Sequence, residues 1–320
     1  MSIRQIASPK ELAAYDAWVR GHPQGSLWQS LAWKKFQENL GREVRIYIAE
    51  AGDHLLASAL VVIDRTRLHL STWEIPRGPL GGGEEILDII IADARKDRCV
   101  VLYFSGNAQP SGRHVWPEAT RIIDLRESEE GILSQMKPKG RYNIAVAKKH
   151  GVRVEIAHDK QAVLRFYDLL RETARRDGFI PLSCAHYEAF LRGLEGSFLL
   201  LAHHPSEHTK TPQKPIAGLL GVIHKQTGIY MYGASSSRYR NCMAPYLLQW
   251  GAMRLCKARG CTAYDLFGVA PEGTDSHPWS GVSRFKAQFG GSVVTYPPEQ
   301  QRVLRPLPHH LLQLKRRLFG

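Results

Sequence analysis

Apolar runs in the first half of the chain predict strands separated by helices. Continuous or alternating apolar positions indicate strands at 44–50, 55–64, 68–75, 100–105 and 121–125. Residues 84–96, before the fourth run, carry apolar side chains at helical spacing. An earlier helix begins at Ser8-Pro9-Lys10-Glu11, which has the pattern of a capping box with proline at the first helical position. A second helix is predicted between Ser30 and Gly41.

The second half repeats this order. Residues 152–156 are predicted to form a strand, and Asp159 is the cap of a helix that ends at Gly178. The predicted elements that follow are a helix at 185–194, strands at 198–202, 216–224 and 228–232, a helix at 245–258 and a strand at 263–267. The polar segment 203–215 is predicted to be a long hairpin loop. We therefore expect a duplicated α/β (α+β) fold.

Length and composition agree with a soluble globular protein of two compact domains or one large one. The chain has 320 residues, of which 43% are hydrophobic and 23% charged, which argues against a disordered chain, a collagen or a coiled coil. The net charge of +13 indicates a polyanionic partner. Most of the excess lies in two segments without acidic residues, 137–153 with six Lys or Arg and 302–320 with five.

Cysteine and histidine usage favours a reduced cytoplasmic protein without a metal. Five cysteines is an odd count, and the chain opens Met-Ser-Ile-Arg with no apolar leader. Cys256 and Cys261 lack the spacing of a zinc site, so we expect buried structural thiols. The histidines near 204 and 309 are expected to be solvated. No apolar run approaches the roughly 20 residues of a membrane span, so any membrane contact is expected to be peripheral.

Short motifs in four stretches, the last of them divided in two, resemble one family. They are 28–35 (WQSLAWKK), 77–82 (RGPLGG), 141–152 (RYNIAVAKKHGV), and the pair 232–236 (YGASS) and 285–291 (FKAQFGG). Each motif alone is common, but their order and spacing across almost the whole chain resemble the Fem aminoacyltransferases (FemABX), which build the peptide cross-bridges of peptidoglycan.

This resemblance implies two tandem GNAT-like domains, each a mixed, mostly antiparallel sheet flanked by helices. We expect residues 1–150 with 300–320 to form the first domain, which binds the acceptor, and 151–299 the second. The C-terminal tail would return to the first domain. No segment matches the coiled-coil arm of some family members, so the chain resembles the short form.

The resemblance also implies a reaction, in which an amino acid passes from aminoacyl-tRNA to an amine of a peptidoglycan precursor without a cofactor. The aminoacyl ester is already activated, so the reaction needs a positioned amine and a donor for the developing oxyanion. Lys286 resembles the family's catalytic lysine, and Phe285 belongs to the same catalytic segment. The alternative, from residue spacing alone, is an exposed lysine on a helix whose phenylalanines face the core.

Acceptor-binding residues are implied in both domains. Trp33, Lys34 and Lys35 resemble the family's Trp-x-Lys segment, with Lys35 the better aligned; the alternative is a pair of solvated lysines. Tyr230 and Tyr232 resemble tyrosines that contact the precursor. Because they alternate with Met231 on one strand, we expect both on the same face of the sheet, either in the site or as half-buried aromatics.

One family position departs from the pattern. Tyr187 resembles a precursor-binding tyrosine, but Ser183 stands where the family commonly has an arginine. Arg175 or Arg192 could supply the missing phosphate contact. The acceptor, either UDP-linked or lipid-linked, is therefore left open.

The basic segments are expected to bind the tRNA, with the protein acting as a monomer. The predicted phosphate contacts are Arg141, Lys148, Lys149, Arg316 and Arg317, and the alternative is that they are solvated helix faces. Few aromatics accompany these cations, which favours contacts with phosphates over contacts with bases.

Two other classes of function stay open. An acyl-CoA N-acyltransferase would have a glycine-rich phosphate loop before a helix, but residues 238–244 (RYRNCMA) contain no glycine. A non-catalytic nucleic-acid-binding protein would explain the charge, yet no recognition-helix, RRM or OB signature is present. The absence of a Gly-x-Ser-x-Gly motif argues against a serine hydrolase.

Overall fold

The computed structural model describes residues 1–66, 69–82, 84–106, 108–113, 115–207, 214–271, 273–274 and 277–319, with side chains to residue 314. In chain order the strands are β1 (Ser2–Ile6), β2 (Glu43–Ala51), β3 (His54–Arg65), β4 (Ser71–Glu74), β5 (Cys99–Ser105), β6 (Gln109–Pro110), β7 (Ala119–Asp124), β8 (Arg153–Ala157), β9 (Ser197–His203), β10 (Ala217–His224), β11 (Thr227–Ser235), β12 (Ala263–Val269), β13 (Ser292–Thr295) and β14 (Glu299–Val303). The helices are α1 (Pro9–Gly21), α2 (Leu31–Asn39), α3 (Glu84–Lys96), α4 (Glu129–Gln135), α5 (Pro138–Lys149), α6 (Lys160–Asp177), α7 (Cys184–Gly193), α8 (Ala244–Ala258), α9 (Ser280–Lys286) and α10 (Pro306–Phe319).

The chain divides into two units. Unit 1 comprises Met1–Glu118 and Tyr296–Gly320, and unit 2 comprises Ala119–Thr295. The boundary therefore precedes the one expected after residue 150. Its cause is strand pairing, because β7 pairs antiparallel with both β12 and β13 of unit 2. Helix α5, which was also expected in the first domain, packs on α8 in unit 2.

The described strands of unit 1 form one sheet in the order β1-β2-β3-β4-β5-β14-β6. Only the β4–β5 pair in this sheet is parallel, and α3 connects those two strands. Strand β14 returns from the end of the chain and pairs with β5 and β6. The C-terminal segment thus belongs to unit 1.

The described strands of unit 2 repeat this topology in the order β13-β7-β12-β11-β10-β9-β8. Strands β8 to β11 pair antiparallel, β11 and β12 pair parallel, and α8 is the connection between them. Two helices, α1 and α2, follow β1 at one edge of the first sheet, and two helices, α6 and α7, follow β8 at the corresponding edge of the second. The predicted duplication and the mixed, helix-flanked α/β fold are confirmed.

Local details agree with the sequence in several places. Ser8 and Glu11 form the predicted capping box of α1, and Asp159 caps α6. All five cysteines are free, and four of them are buried. The loop expected at 203–215 connects β9 and β10, although residues 208–213 lie outside the described part. No helix in the described part is long and apolar enough to cross a bilayer. Strand β1 was not predicted, because it is short and mostly polar.

Candidate functional site

Lys286 is buried in unit 2. It is the last residue of α9, its side chain is only 6% exposed, and its ammonium donates to the carbonyl oxygen of Gly268 at 2.6 Å. Burial lowers the pKa of Lys286 to about 8, and the negative charge of Asp265 opposes part of that shift. The alternative of an exposed lysine is therefore wrong.

A distortion of β12 accompanies the carbonyl that holds Lys286. The register between β12 and β7 shifts between Asp265 and Gly268, and Phe267 between them has a φ of +60°. The Asp265 carboxylate accepts a hydrogen bond from the Phe267 amide at 2.7 Å and supports this conformation. Strand irregularities are over-represented next to active sites, and residues with strained backbone cluster there, so the distortion is consistent with a functional role for this region.

The backbone that follows Lys286 packs closely against β7 and the start of α5, at two glycines. Gly291 has a φ of +69°, and a Cβ there would lie 2.2 Å from the carbonyl oxygen of Ile122 on β7. Gly140 at the start of α5 approaches Gln288 equally closely, since a Cβ would lie 2.3 Å from its carbonyl oxygen. Gly291 belongs to the 285–291 motif and Gly140 directly precedes the 141–152 motif, and both glycines fix the backbone around the lysine.

A cavity of about 970 Å³ in unit 2 lies beside this lysine. Tyr230 and Phe285 line the cavity, and the Lys286 ammonium lies 5.5 Å from the centroid of the Tyr230 ring. Phe285 is partly buried and packs edge-on against Tyr246, 5.0 Å between ring centroids. Phe285 thus forms part of the cavity wall, whereas sequence spacing alone placed it in the core.

Much of the cavity wall consists of residues that no sequence motif indicates. Its aromatic and charged members include Tyr239, Tyr246, Trp279, Arg176, Asp177 and Arg240. They come from α6, α8 and two connecting segments, so no periodic motif marks them. Arg176 donates to the carbonyl oxygen of Ser235 at 2.8 Å and pairs with Asp177, whose pKa it lowers. The cavity combines aromatic faces with fixed charges, as sites for polar organic ligands do.

Tyr230 and Tyr232 lie on opposite faces of the sheet, so the expectation that they share a face is wrong. Tyr230 pairs with Gly221 and Tyr232 with Leu220, which leaves Met231 as an extra residue in a β-bulge. Tyr230 consequently packs on the α8 side, near Lys286. Burial raises its pKa to about 12, so its hydroxyl stays protonated near neutral pH.

Tyr232 lies on the α7 side with two other predicted site residues. Its hydroxyl is 3.1 Å from Nε2 of His186, and its ring is edge-on to that of Tyr187, 5.0 Å between centroids. Tyr187 is buried, which raises its pKa to about 12, and its hydroxyl accepts from the Leu182 amide. Ser183 caps α7 through a hydrogen bond from the His186 amide. The serine in the arginine position therefore has a structural role.

The two arginines considered as substitutes differ in their surroundings. Arg192 pairs with Glu188 at 3.3 Å. Arg175 lines a second cavity of unit 2, of about 520 Å³. The wall of this second cavity also contains the cations Arg165, Arg171, Lys214 and Arg238 and the acids Asp168 and Glu172. Of the two, Arg175 has the surroundings of an anion site.

The predicted acceptor residues of the first helix motif lie in unit 1. Trp33 is buried and stacks on Trp28, 5.8 Å between centroids. Among the described residues nothing accepts the hydrogen bond of its indole N–H. Lys34 pairs with Glu38 along α2, and Lys35 is exposed. Lys35 is therefore the freer of the two lysines.

The predicted phosphate-binding cations are only partly described. Lys148 and Lys149 are exposed at the C-terminal end of α5, and no ion pair involves either within the described part of unit 2. Arg141 is exposed but donates to the carbonyl oxygens of Ser134 and Met136 near the end of α4. The side chains of Arg316 and Arg317 lie outside the described residues.

Three side chains of unit 2 offer the donor chemistry of a soft metal ion. One ligand atom from each of His150, His204 and Cys242 lies within 4.8 Å of the others. His204 is already held by Ser206, 2.7 Å from its Nδ1, and is stacked on Tyr239. These contacts account for its position without an ion, and we assign no metal to the group.

Known proteins share this fold along the whole chain. The crystal structure of FemX superposes with a TM-score of 0.75 at 17% identity, covering 98% of this chain and 100% of that one. A tandem GNAT protein from the clavulanic acid biosynthesis pathway superposes with a TM-score of 0.56 at 12% identity, covering 94% and 98%. The protein is thus of the tandem GNAT-like class.

Sequence comparison gives the family. The model of the FemAB family matches residues 102–204 and 201–316. Lipid II:glycine glycyltransferases from Staphylococcus saprophyticus and Staphylococcus aureus are each 20% identical; the alignments cover 83% and 95% of this chain and 84% and 94% of those proteins. The chain belongs to the FemAB family and is a Fem-type transferase.

Proposed function

We propose that the protein transfers an amino acid from aminoacyl-tRNA to an amine on the stem peptide of a peptidoglycan precursor. Family membership and relatives named lipid II:glycine glycyltransferases support an amino acid as the transferred group and a lipid-linked precursor as the acceptor. The single observation that carries the proposal is the buried Lys286 beside an aromatic cavity.

The proposed reaction needs little from the protein besides positioning and charge. The acceptor amine attacks the ester carbonyl, a carbon–nitrogen bond forms, and the ester carbon–oxygen bond breaks. One proton leaves the amine, and the leaving ribose oxygen gains one. Protonated Lys286 would stabilise the oxyanion or donate to the leaving oxygen. With a pKa near 8 it is mostly protonated at pH 7 yet close enough to neutrality to exchange its proton.

The start of α8 argues against the acyl-CoA alternative. Pyrophosphate groups bind the free amides of a helix N-terminus. Here Met243 takes a left-handed conformation, Ala244 begins the helix, and Pro245 removes one amide donor. No glycine precedes the helix at 238–244. We therefore favour an aminoacyl ester as the donor.

The test is incubation with a charged tRNA pool and lipid-linked or UDP-linked precursors, followed by mass measurement of the product. The proposal predicts a mass gain of one or more amino acid residues. Lys286→Ala should slow transfer about a hundredfold or more, in line with the loss of an oxyanion donor. Lys10→Ala, which removes an exposed lysine of α1 outside both basic segments, is the control. Product formed with acyl-CoA and none with aminoacyl-tRNA would overturn the proposal.

A further inference from the structure

Within the described residues, helix α10 packs on unit 1 through the side that contains Leu312. Leu312 packs on the cluster formed by Val100, Val101 and Tyr103 of β5. The strand that precedes the helix, β14, is hydrogen-bonded to the same β5. The position of α10 on unit 1 is thus fixed by the side that contains Leu312.

The opposite side of α10 presents leucines to solvent. Leu307 is 82% exposed, Leu311 67% and Leu314 42%. Their spacings of four and three residues place them along one face of the helix. We call these three residues the leucine face. Single exposed leucines are ordinary, but an aligned set on a helix that is already anchored by its other side indicates a partner.

The charged residues of the segment that contains the leucine face are all basic. Residues 302–320 contain Arg302, Arg305, Lys315, Arg316 and Arg317 and no acidic residue. Arg302 is exposed on β14, and none of the ion pairs found in the described residues involves it. An apolar helix face in a segment whose charged residues are all basic has the composition of a helix that lies in a membrane interface.

We propose that the leucine face docks on an anionic lipid bilayer, with the leucines among the acyl chains and the net positive charge of segment 302–320 attracted to the phosphate headgroups. RNA would attract the same cations but offers no apolar phase in which leucines could be buried. The same bilayer surface would attract the basic segment 302–320, for which the sequence alone suggested tRNA. The inference rests on the proposed function in one respect: docking would hold the enzyme at the surface where a lipid-linked acceptor lies.

The test is sedimentation of the full chain with vesicles in the absence of tRNA and precursor. We expect binding to vesicles of phosphatidylglycerol and phosphatidylcholine, and much weaker binding to phosphatidylcholine alone. Leu307→Ser/Leu311→Ser should weaken binding about tenfold for each leucine removed from the acyl region. The matched control is Leu56→Ser/Ile89→Ser, which removes two exposed aliphatic side chains elsewhere in unit 1 and should leave binding unchanged.

A second arm separates lipid from RNA. Lys315→Gln/Arg316→Gln/Arg317→Gln should lower binding to the anionic vesicles about fivefold for each charge and leave binding to neutral vesicles unaffected. The proposal is overturned if the wild-type chain does not sediment with anionic vesicles, or if the leucine and control pairs weaken binding equally. It is also overturned if the charge variants lose tRNA binding but keep vesicle binding. Because no substrate is present, failure here is distinct from failure of the transfer assay.

Discussion

Replacement of Lys286 by methionine should alter the pH dependence of stability as well as the rate of transfer. Methionine fills a similar volume without a charge, so the substitution removes the ionisable group and keeps most of the packing. The lysine is 6% exposed and has one hydrogen bond partner in the described structure, the carbonyl oxygen of Gly268. The variant therefore isolates the effect of a buried ammonium.

The size of the effect follows from the pKa of Lys286. The folded state lowers this pKa from 10.5 to about 8, which corresponds to a cost of about 3 kcal/mol for the charged form at pH 7. Between about pH 8 and 10.5 the unfolded chain binds the proton and the folded protein does not, so the stability of the wild type rises with pH there. Relative to the variant, the wild type should gain about 2 kcal/mol between pH 7 and pH 9.5.

Urea denaturation of both proteins at the two pH values measures this gain as a difference of differences. Lys139→Met, in which the lost lysine is exposed on α5, is the control and should show no such change. Transfer by Lys286→Met should be about a hundredfold slower than transfer by the wild type. If the stability difference between Lys286→Met and the wild type stayed within about 0.5 kcal/mol at both pH values, the lysine would be solvated and the argument for its role would be refuted.

Three further outcomes are expected. Gly291→Ala should lower the free energy of unfolding by at least about 2 kcal/mol, because the left-handed residue abuts backbone, whereas Gly281→Ala on open helix surface should be neutral or stabilising in the same urea measurement. Arg113 pairs at 2.6 Å with the buried carboxylate of Glu299 on β14, so Arg113→Met should cost about 3 kcal/mol or more in the same urea measurement by removing this partner. Lys148→Gln/Lys149→Gln should reduce the log–log salt slope of tRNA binding by about 2, and an unchanged slope would separate these lysines from the RNA.

The elements of the fold could be predicted because local patterns determine them. Hydrophobic periodicity located the helices, and the caps Ser8 and Asp159 marked where two of them begin. The repeated order of elements indicated a duplication, which the two sheets confirm. The boundary between the units could not be predicted in this way. It depends on β7 pairing with strands about 140 to 170 residues later in sequence, and no local signal records which distant strand is the partner.

The site was harder to predict than the fold. Strict alternation placed Tyr230 and Tyr232 together, but a single extra residue, Met231, moves them to opposite faces. Helical spacing alone favoured an exposed Lys286. The side chain is instead buried, because its segment packs closely against neighbouring backbone at Gly140 and Gly291. Resemblance to a family indicated the lysine, whereas Tyr246 and Trp279 of the cavity wall carried no signal in the sequence.

The pairing of β14 with β5 has a consequence for the order in which the protein is made. Unit 2 is one continuous stretch of chain and is complete once residue 295 has left the ribosome. Unit 1 at that moment still lacks β14, so β5 has an unpaired edge. Exposed strand edges invite pairing with other chains. The sheet of the nascent N-terminal unit therefore stays open at β5 until residues 299–303 have been made, after the whole of unit 2.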